Sequence, residues 1–334
     1  MSRILVVSAF PPRHCGIGAY AQAQVGRLRE QGHQVTVLSP PDGAGDARVP
    51  FTGGRPFATA ARMAAGFDRV IVHFEPGLYF RPRAPLSKLG TTLRLMWLLL
   101  RRRQTEIIIH EVHPPRWWRP DDVLLAAAFW AAPLLLFHTA RERQEFRRVF
   151  RFRARAGLVS HGQGVTVHGP RSRQEARRRL GIPANEVLLV CPGFLHPGKG
   201  VERAVEAFRL RRTGRLCIVG SVRDPVPSNL RYAERLRRLA DATPGVDFVD
   251  GFLEDWEFDA WIAAADAVVL PYRRSWSSGV LARAQALGTP AIVTAVGGLP
   301  EQASRADVVV HDDDQLAAAV GDVAGRSVSG ETTG

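Results

Sequence analysis

Short apolar runs punctuate the chain, each closed by glycine, proline or a small polar cluster, and the stretches between them carry apolar residues three and four apart. A short apolar run bounded in this way is the pattern of a strand buried on both faces; the wider spacing is that of a helix with one face on a core. In the first half the pattern predicts strands at Arg3–Ser8, Gln34–Ser39, Val70–Phe74, Glu106–Ile109 and Leu134–His138. Helices are expected at Ala19–Glu30, at Leu86–Arg103, from Val123 up to Pro133, and at Arg141–Arg155. After a charged helix at Arg171–Leu180 the pattern restarts. Strands are expected at Val187–Val190, Leu216–Val219, Val246–Val249, Ala267–Leu270, Ala291–Thr294 and Val308–Val310, with helices at Val201–Phe208, Leu230–Ala240, Trp256–Ala264, Val280–Leu287 and Leu316–Val323. Strand and helix alternate throughout, which implies an α/β chain of two parallel-sheet halves. The expected domains are 1–170 and 171–325, followed by a small polar tail, 326–334, read as disordered.

At 334 residues the chain can build two cores. Val123–Phe137 is apolar but divided by Pro133, so it reads as core and not as a membrane span. In Leu86–Arg103, Leu89, Leu93, Met96, Trp97 and Leu100 follow helical spacing, with Lys88 and Arg94 among them and three arginines at the end. That stretch fits a helix packed on the sheet, or one lying on a membrane surface. Ile4–Val7, directly after Met1-Ser2-Arg3, is too short for a secretory signal and is expected to be a first strand. Cys15, Cys191 and Cys217 are odd in number and widely spaced. They offer neither a disulfide framework nor a zinc spacing, and fit a reducing cytoplasm.

Charge divides the halves. Residues 1–170 hold 24 Arg and Lys against 11 Asp and Glu, the whole net excess of +13, while 171–334 hold 21 of each. A one-sided basic field implies an anionic partner on the first half: a membrane surface, a lipid phosphate or nucleic acid. No nucleic-acid recognition motif accompanies the charge, and arginine is spread over helices and loops alike, which disfavours that partner.

Candidate chemistry gathers where strands end. Gly16 and Gly18 lie at the first strand-to-helix turn, where glycine lets a backbone approach a phosphate or a sugar, although a tight turn alone would need them too. Glu75 follows a strand, on the edge where open α/β sheets bind ligands. His110 and Glu111 end the next strand and are candidate general-base or hydroxyl-binding groups. His113, three residues on from His110, could join a metal site only with a third ligand, which the sequence does not supply; no metal is expected. Lys199 stands between Gly198 and Gly200 at a helix start, in a chain that otherwise writes arginine almost everywhere, and reads as a compact phosphate ligand. Ser277, Ser278 and Gly279 open another helix, where free N–H groups can hold a phosphate and where an ordinary cap would look the same. Two such helix starts in one half suit a diphosphate, and the cleft between the halves is the expected site.

In order along the chain, PPRHCGIGAY, VIVHFEPGLY, IIIHEVHPP, GFLHPGKGVERAVEAF and DAVVLPY…SSGVLARAQALGTPAIVTAVGGLPE resemble segments of the GT-B glycosyltransferases of family 4. The resemblance implies two Rossmann-like domains facing a cleft, and transfer of a sugar, a hexose in most members, from a nucleotide-sugar to an acceptor. Residue by residue it implies that Gly16 and Gly18 touch the donor, and that His110 binds the transferred sugar or lines the acceptor side. Lys199, with the backbone of Ser278 and Gly279, would neutralise the leaving diphosphate. Phe252 and Leu253 would border the base, and Glu301 would be a further donor-binding residue. No cofactor or metal is implied, because a lysine and a helix terminus can carry the leaving group. Common members hold two glutamates eight apart in the donor unit; here Ser275 and Arg283 stand there, as in a subset lacking the pair, and Phe194 stands where many members have arginine. The expected function is a cytoplasmic glycosyltransferase, its basic first half meeting a membrane or a lipid-linked or glycan acceptor. The alternative is an inactive GT-B module acting as a binding or scaffold protein. If transfer inverts the sugar, Glu75 or Glu111 is the expected base.

Overall fold

The computed structural model describes residues 1–329 other than 14, 82–83, 103, 112–113, 152–154, 212–213 and 224. The chain divides into two compact units, Met1–Gly164 and Val165–Gly334. Each is a parallel sheet with helices, the Rossmann-like plan.

In the first unit the strands are β1 (Arg3–Val7), β2 (Gln34–Ser39), β3 (Ala47–Arg48), β4 (Arg69–Phe74), β5 (Thr105–Ile109), β6 (Leu134–Phe137) and β7 (Ala156–Leu158). They run in the order β3-β2-β1-β4-β5-β6-β7. The helices are α1 (Gly16–Glu30), α2 (Arg55–Met63), α3 (Pro76–Tyr79), α4 (Pro85–Arg101), α5 (Pro120–Trp130) and α6 (Ala140–Phe150). Strand order reverses between β1 and β4, and the crevice beyond their carboxyl ends is where such sheets take ligands. The β-branched centres of β1, β4 and β5 are fully or almost fully buried, because helices cover the sheet. α4 packs against both α2 and α5. Lys88 of α4 is paired with Asp121 and Asp122 in the first turn of α5, where Arg116 and Arg119 also bond. Thr139 and Glu142 form a capping box that starts α6.

The second unit repeats the plan with β8 (Leu188–Pro192), β9 (Arg215–Gly220), β10 (Val246–Asp250), β11 (Ala267–Leu270), β12 (Ala291–Thr294) and β13 (Val308–Val310). Their order is β10-β9-β8-β11-β12-β13, with the reversal between β8 and β11. The helices are α7 (Arg173–Leu180), α8 (Val201–Arg211), α9 (Pro227–Asp241), α10 (Asp255–Ala264), α11 (Gly279–Ala286), α12 (Leu299–Gln302) and α13 (Asp313–Ser329). Arg177 is buried and ties α7 inward through the carbonyls of Ala264, Pro183 and Ala184 and the carboxylate of Asp266.

Several expected boundaries move. α4 ends at Arg101 and α6 at Phe150, where Arg151 takes a left-handed turn. α9 begins at Pro227, since proline at a first helical position needs no N–H partner. α13 runs to Ser329, into the stretch expected to be a tail.

Candidate active site

Two loops meet beyond the switch point of the second sheet. One leaves β8, the other β11. The first carries Lys199 in a single 3-10 turn, Pro197–Lys199, capped by His196, whose Nδ1 accepts the Gly198 N–H at 3.2 Å. Backbone bonds lace the loops together: the N–H groups of Arg273 and Arg274 donate to the Gly198 carbonyl at 2.9 and 3.3 Å. Gly200 has φ +58, and a Cβ there would stand 2.5 Å from the Pro271 carbonyl oxygen, so only glycine permits this approach. Lys199 Nζ lies 3.7 Å from the centre of the Tyr272 ring, and Tyr272 Oη is 3.4 Å from Ser278 Oγ. The two phosphate-competent helix starts read from the sequence are therefore neighbours, with Tyr272 between them.

The details differ from the expectation at Ser278. Its Oγ caps α11 by accepting the Leu281 N–H at 3.2 Å, but its own N–H donates to Gln302 Oε1 at 2.9 Å. Gln302 also donates to the Ser278 carbonyl, at 2.6 Å, so a side chain of α12 occupies the backbone donor that was assigned to phosphate. The N–H groups of Gly279 and Val280 have no partner among the described residues, and they carry the positive end of the helix. Ser277 accepts the Ser275 hydroxyl on its carbonyl at 2.9 Å. Gly297, at φ +53, packs so closely on the Ser275 carbonyl that no Cβ fits. Glu301 lies exposed on α12, in that helix's first turn.

Charge around these loops is fixed in pairs. Glu202 accepts from Tyr232 Oη at 2.6 Å and from Arg273 at 2.8 Å. Burial raises its carboxyl pKa, but the Tyr232 hydroxyl and the Arg273 guanidinium outweigh that and hold it below the usual range. Arg283 is bonded to the fully buried Asp259 and to Asp255 at 3.0 Å, and Asp259 also accepts the N–H groups of His168 and Gly169 at 2.6 and 2.9 Å. Arg283 therefore holds its own unit together at the position where a family glutamate was expected. Phe252, just past β10, is half-exposed and its ring lies 6.4 Å from that of Phe194, over which Arg223 stands at 5.7 Å. Leu253 packs into the core instead.

The first unit gathers different groups. Gly18 sits at the start of α1, where a Cβ would touch the backbone of Ala9 and Phe10 at 3.4–3.5 Å; Gly16 faces open space. Glu75 caps α3, accepting the Gly77 N–H at 2.9 Å, a structural bond that sequence reading did not anticipate. Glu111 is exposed, and His113 lies outside the described residues. His110 does not stand alone. His73 at the end of β4, His110 after β5 and His138 after β6 form a chain: His73 Nδ1 to His110 Nε2 is 3.0 Å, and His110 Nδ1 to His138 Nε2 is 3.3 Å. His138 Nδ1 donates to the Val159 carbonyl at 3.1 Å, and His73 Nε2 lies 3.0 Å from Gln24 Oε1. Tyr20 lies against all three rings and stacks on a fourth, His161, with centroids 5.3–5.6 Å apart.

Burial pushes His73 down to about 3 and His138 to about 4, and holds His110 far below the ordinary value, helped by its histidine neighbours. The rings are therefore neutral, and at the far end of the chain the atom facing His73 Nε2 is Gln24 Oε1. His138 donates through Nδ1 to the Val159 carbonyl, and both nitrogens of His110 are occupied, which removes it as a free base. Beside the chain, Ser8 Oγ, Tyr20 Oη and His161 Nδ1 are buried with no hydrogen-bond partner among the described residues. Burial also lifts the Tyr20 hydroxyl to about 12. Among the described residues no group of three or more His, Cys, Asp or Glu is placed to hold a metal ion.

Comparison with known proteins places this geometry. The family model described as Glycosyltransferase Family 4 matches residues 15–194, and the model described as Glycosyl transferases group 1 matches residues 186–325. A D-inositol 3-phosphate glycosyltransferase of Nocardioides is 33% identical over 160 residues, 44% of this chain and 35% of the relative. Another, from Saccharomonospora viridis, is 34% identical over 180 residues, 50% of this chain and 42% of the relative. The matched region thus spans less than half the length of these curated relatives. Among solved structures, sucrose-phosphate synthase from Thermosynechococcus elongatus superposes with a TM-score of 0.70 at 19% identity, covering 98% of this chain and 91% of that one. HepE from Anabaena, in complex with UDP and glucose, gives 0.68 at 16% identity over 96% and 89%. At such identities the likeness is one of fold.

Proposed function

The chain belongs to glycosyltransferase family 4, and from that premise we propose that it moves a sugar from a nucleotide-diphosphate sugar to an acceptor hydroxyl. One observation carries the reading: the backbone lacing that brings Lys199 and the start of α11 to either side of Tyr272. In the proposed reaction the bond from the sugar's C1 to the diphosphate breaks, a bond from the acceptor oxygen to C1 forms, and the acceptor loses its proton. Negative charge grows on the diphosphate as it leaves. A fixed ammonium and the N–H groups of Gly279 and Val280 meet that charge more strongly in the transition state than in the ground state, which lowers the barrier. No metal or cofactor enters the proposal. Phe194 and Phe252 offer the base two apolar faces, with Arg223 beside them.

On the acceptor side, the buried and unpartnered Ser8, Tyr20 and His161 atoms favour a hydroxyl-rich ligand. Each would recover part of the roughly 1–3 kcal/mol that an unpaired buried polar group costs. D-inositol 3-phosphate, for which the curated relatives are named, is of that kind. The net positive charge of the first unit supports an acceptor that is lipid-linked or anionic, met at the cytoplasmic face of a membrane. The alternative, an inactive binding module, rested on Arg283 and Phe194; Arg283 is accounted for by its pairing with Asp255 and Asp259.

The test is thermal stability against UDP-, GDP-, ADP- and dTDP-sugars, beside a Lys199→Ala variant. A ligand that binds only the folded state raises the melting point by mass action. A shift with one nucleotide, lost in the variant, is expected, and UDP is the first arm to run. No shift with any of the four at millimolar ligand would favour the inactive module.

A further inference from the structure

α4 presents an apolar face to solvent as well as to the core. Thr91, Thr92, Leu95, Leu98 and Leu99 are buried on one side. Leu86, Leu93 and Leu100 are seven apart, so they fall in one line on the opposite side, and they are 81, 56 and 70% exposed. Trp97 lies near that line, with the Arg101 guanidinium 4.9 Å from its ring centre. The neighbouring α5 does the same: Val123 and Trp130, seven apart, are exposed, Trp117 stacks on Trp130 at 6.3 Å, and Trp118 is 80% exposed. A monomer seldom leaves two adjacent helices apolar on their outer faces without a partner for them.

We propose that the outer face of α4 and α5 is a docking surface for an anionic lipid bilayer. Three features select that occupant. The stripe is edged by two exposed arginines of α4, Arg94 and Arg101, whose long stems can lie along apolar surface while their heads reach phosphate. Exposed tryptophans belong at a boundary between hydrocarbon and water. The unit that bears the stripe also bears the chain's whole net positive charge, the complement of an anionic leaflet. No described helix is long and apolar enough to cross a membrane, so α4 and α5 lie in the interface plane.

The inference deepens the acceptor-side reading above, and it is tested apart from it because vesicle binding needs no nucleotide-sugar. The full chain is sedimented with sucrose-loaded vesicles of phosphatidylcholine alone, and with about 30% phosphatidylglycerol. The wild type is expected to pellet with the anionic vesicles, less so as salt rises. Leu93→Glu/Leu100→Glu should weaken that binding by about tenfold or more while leaving the melting temperature and any nucleotide-induced shift in place, since both leucines are exposed. Three results would overturn the proposal. One is no pelleting with anionic vesicles. Another is pelleting that the double variant leaves intact or that is equal without phosphatidylglycerol. The third is a wild-type dimer that the double variant splits, with no vesicle binding, which would give the stripe to a second copy.

Discussion

The two units share a strand order around their switch points and furnish the edge beyond it in opposite ways. Beyond β8 and β11 the second unit sets fixed charges: Lys199 against Tyr272, Arg273 on Glu202, Arg283 on Asp259. Beyond β4, β5 and β6 the first unit sets imidazoles, all neutral, around a phenol. Its charge lies in its overall basic excess instead. In the reaction proposed above, the difference would follow from what each edge holds. A leaving diphosphate needs charge in place before the reaction, because a preorganised cation does not have to reorganise as the barrier is crossed. On the first unit's edge the ring nitrogens are bonded to one another, and the buried Ser8, Tyr20 and His161 atoms are the polar groups left for a hydroxyl.

The comparison can be broken most sharply at Asp259. Arg283→Ala leaves a fully buried carboxylate with only the His168 and Gly169 N–H groups. Removing one partner of a buried pair costs about 3–5 kcal/mol, so chemical denaturation should show the second unit losing its stability while the first keeps its own.

Lys199→Ala comes next. Loss of one preorganised group on the leaving diphosphate should lower kcat/KM by about 10²-fold, or about 2.7 kcal/mol, with little change in the melting point of the unliganded chain. An equal loss of stability would make Lys199 a structural residue.

Acid should separate the units. Folded His138 stays neutral down to about 4 and folded His73 to about 3, whereas both take a proton near 6.5 when unfolded. Below that value the unfolded chain binds more protons, so stability falls as pH falls. By pH 5 each ring should remove about 2 kcal/mol. Hydrogen exchange at pH 7 and pH 5 should show protection lost first in β4, β5 and β6, with the second sheet little changed. Loss spread evenly over both sheets would contradict the neutral-ring account.

The smallest effect is expected at Tyr20→Phe. Tyr20 Oη is buried without a partner among the described residues, so its removal should leave stability within about 1 kcal/mol of the wild type or raise it. The acceptor KM should rise if that hydroxyl binds acceptor, which a steady-state titration of acceptor reads directly.

Much of this was legible in the residues. β11, β12 and β13 begin and end where the apolar runs do, because strands buried on both faces admit no polar break. β3 and β7 were not visible: they are edge strands of two and three residues, too short to make a run. Lys199 stood out by its residue type and the α11 start by its cap, but their adjacency depends on the order of β8 and β11 and on Gly200. The histidine chain left a trace, since three successive predicted strands each carry a histidine at, or within one residue of, their carboxyl end. Joining them needed the neighbour relations of β4, β5 and β6. The Gln302 bond to Ser278 spans 24 residues and left no local signal.

The most direct test of the division between the units is hydrogen exchange of the whole chain with and without millimolar UDP. Protection is predicted in the segments 193–200, 252–253 and 271–281, with the strand ends that carry His73, His110 and His138 unchanged. Protection centred on those histidines, or none in the second unit with any nucleoside diphosphate, would contradict the assignment of the charged edge to the donor.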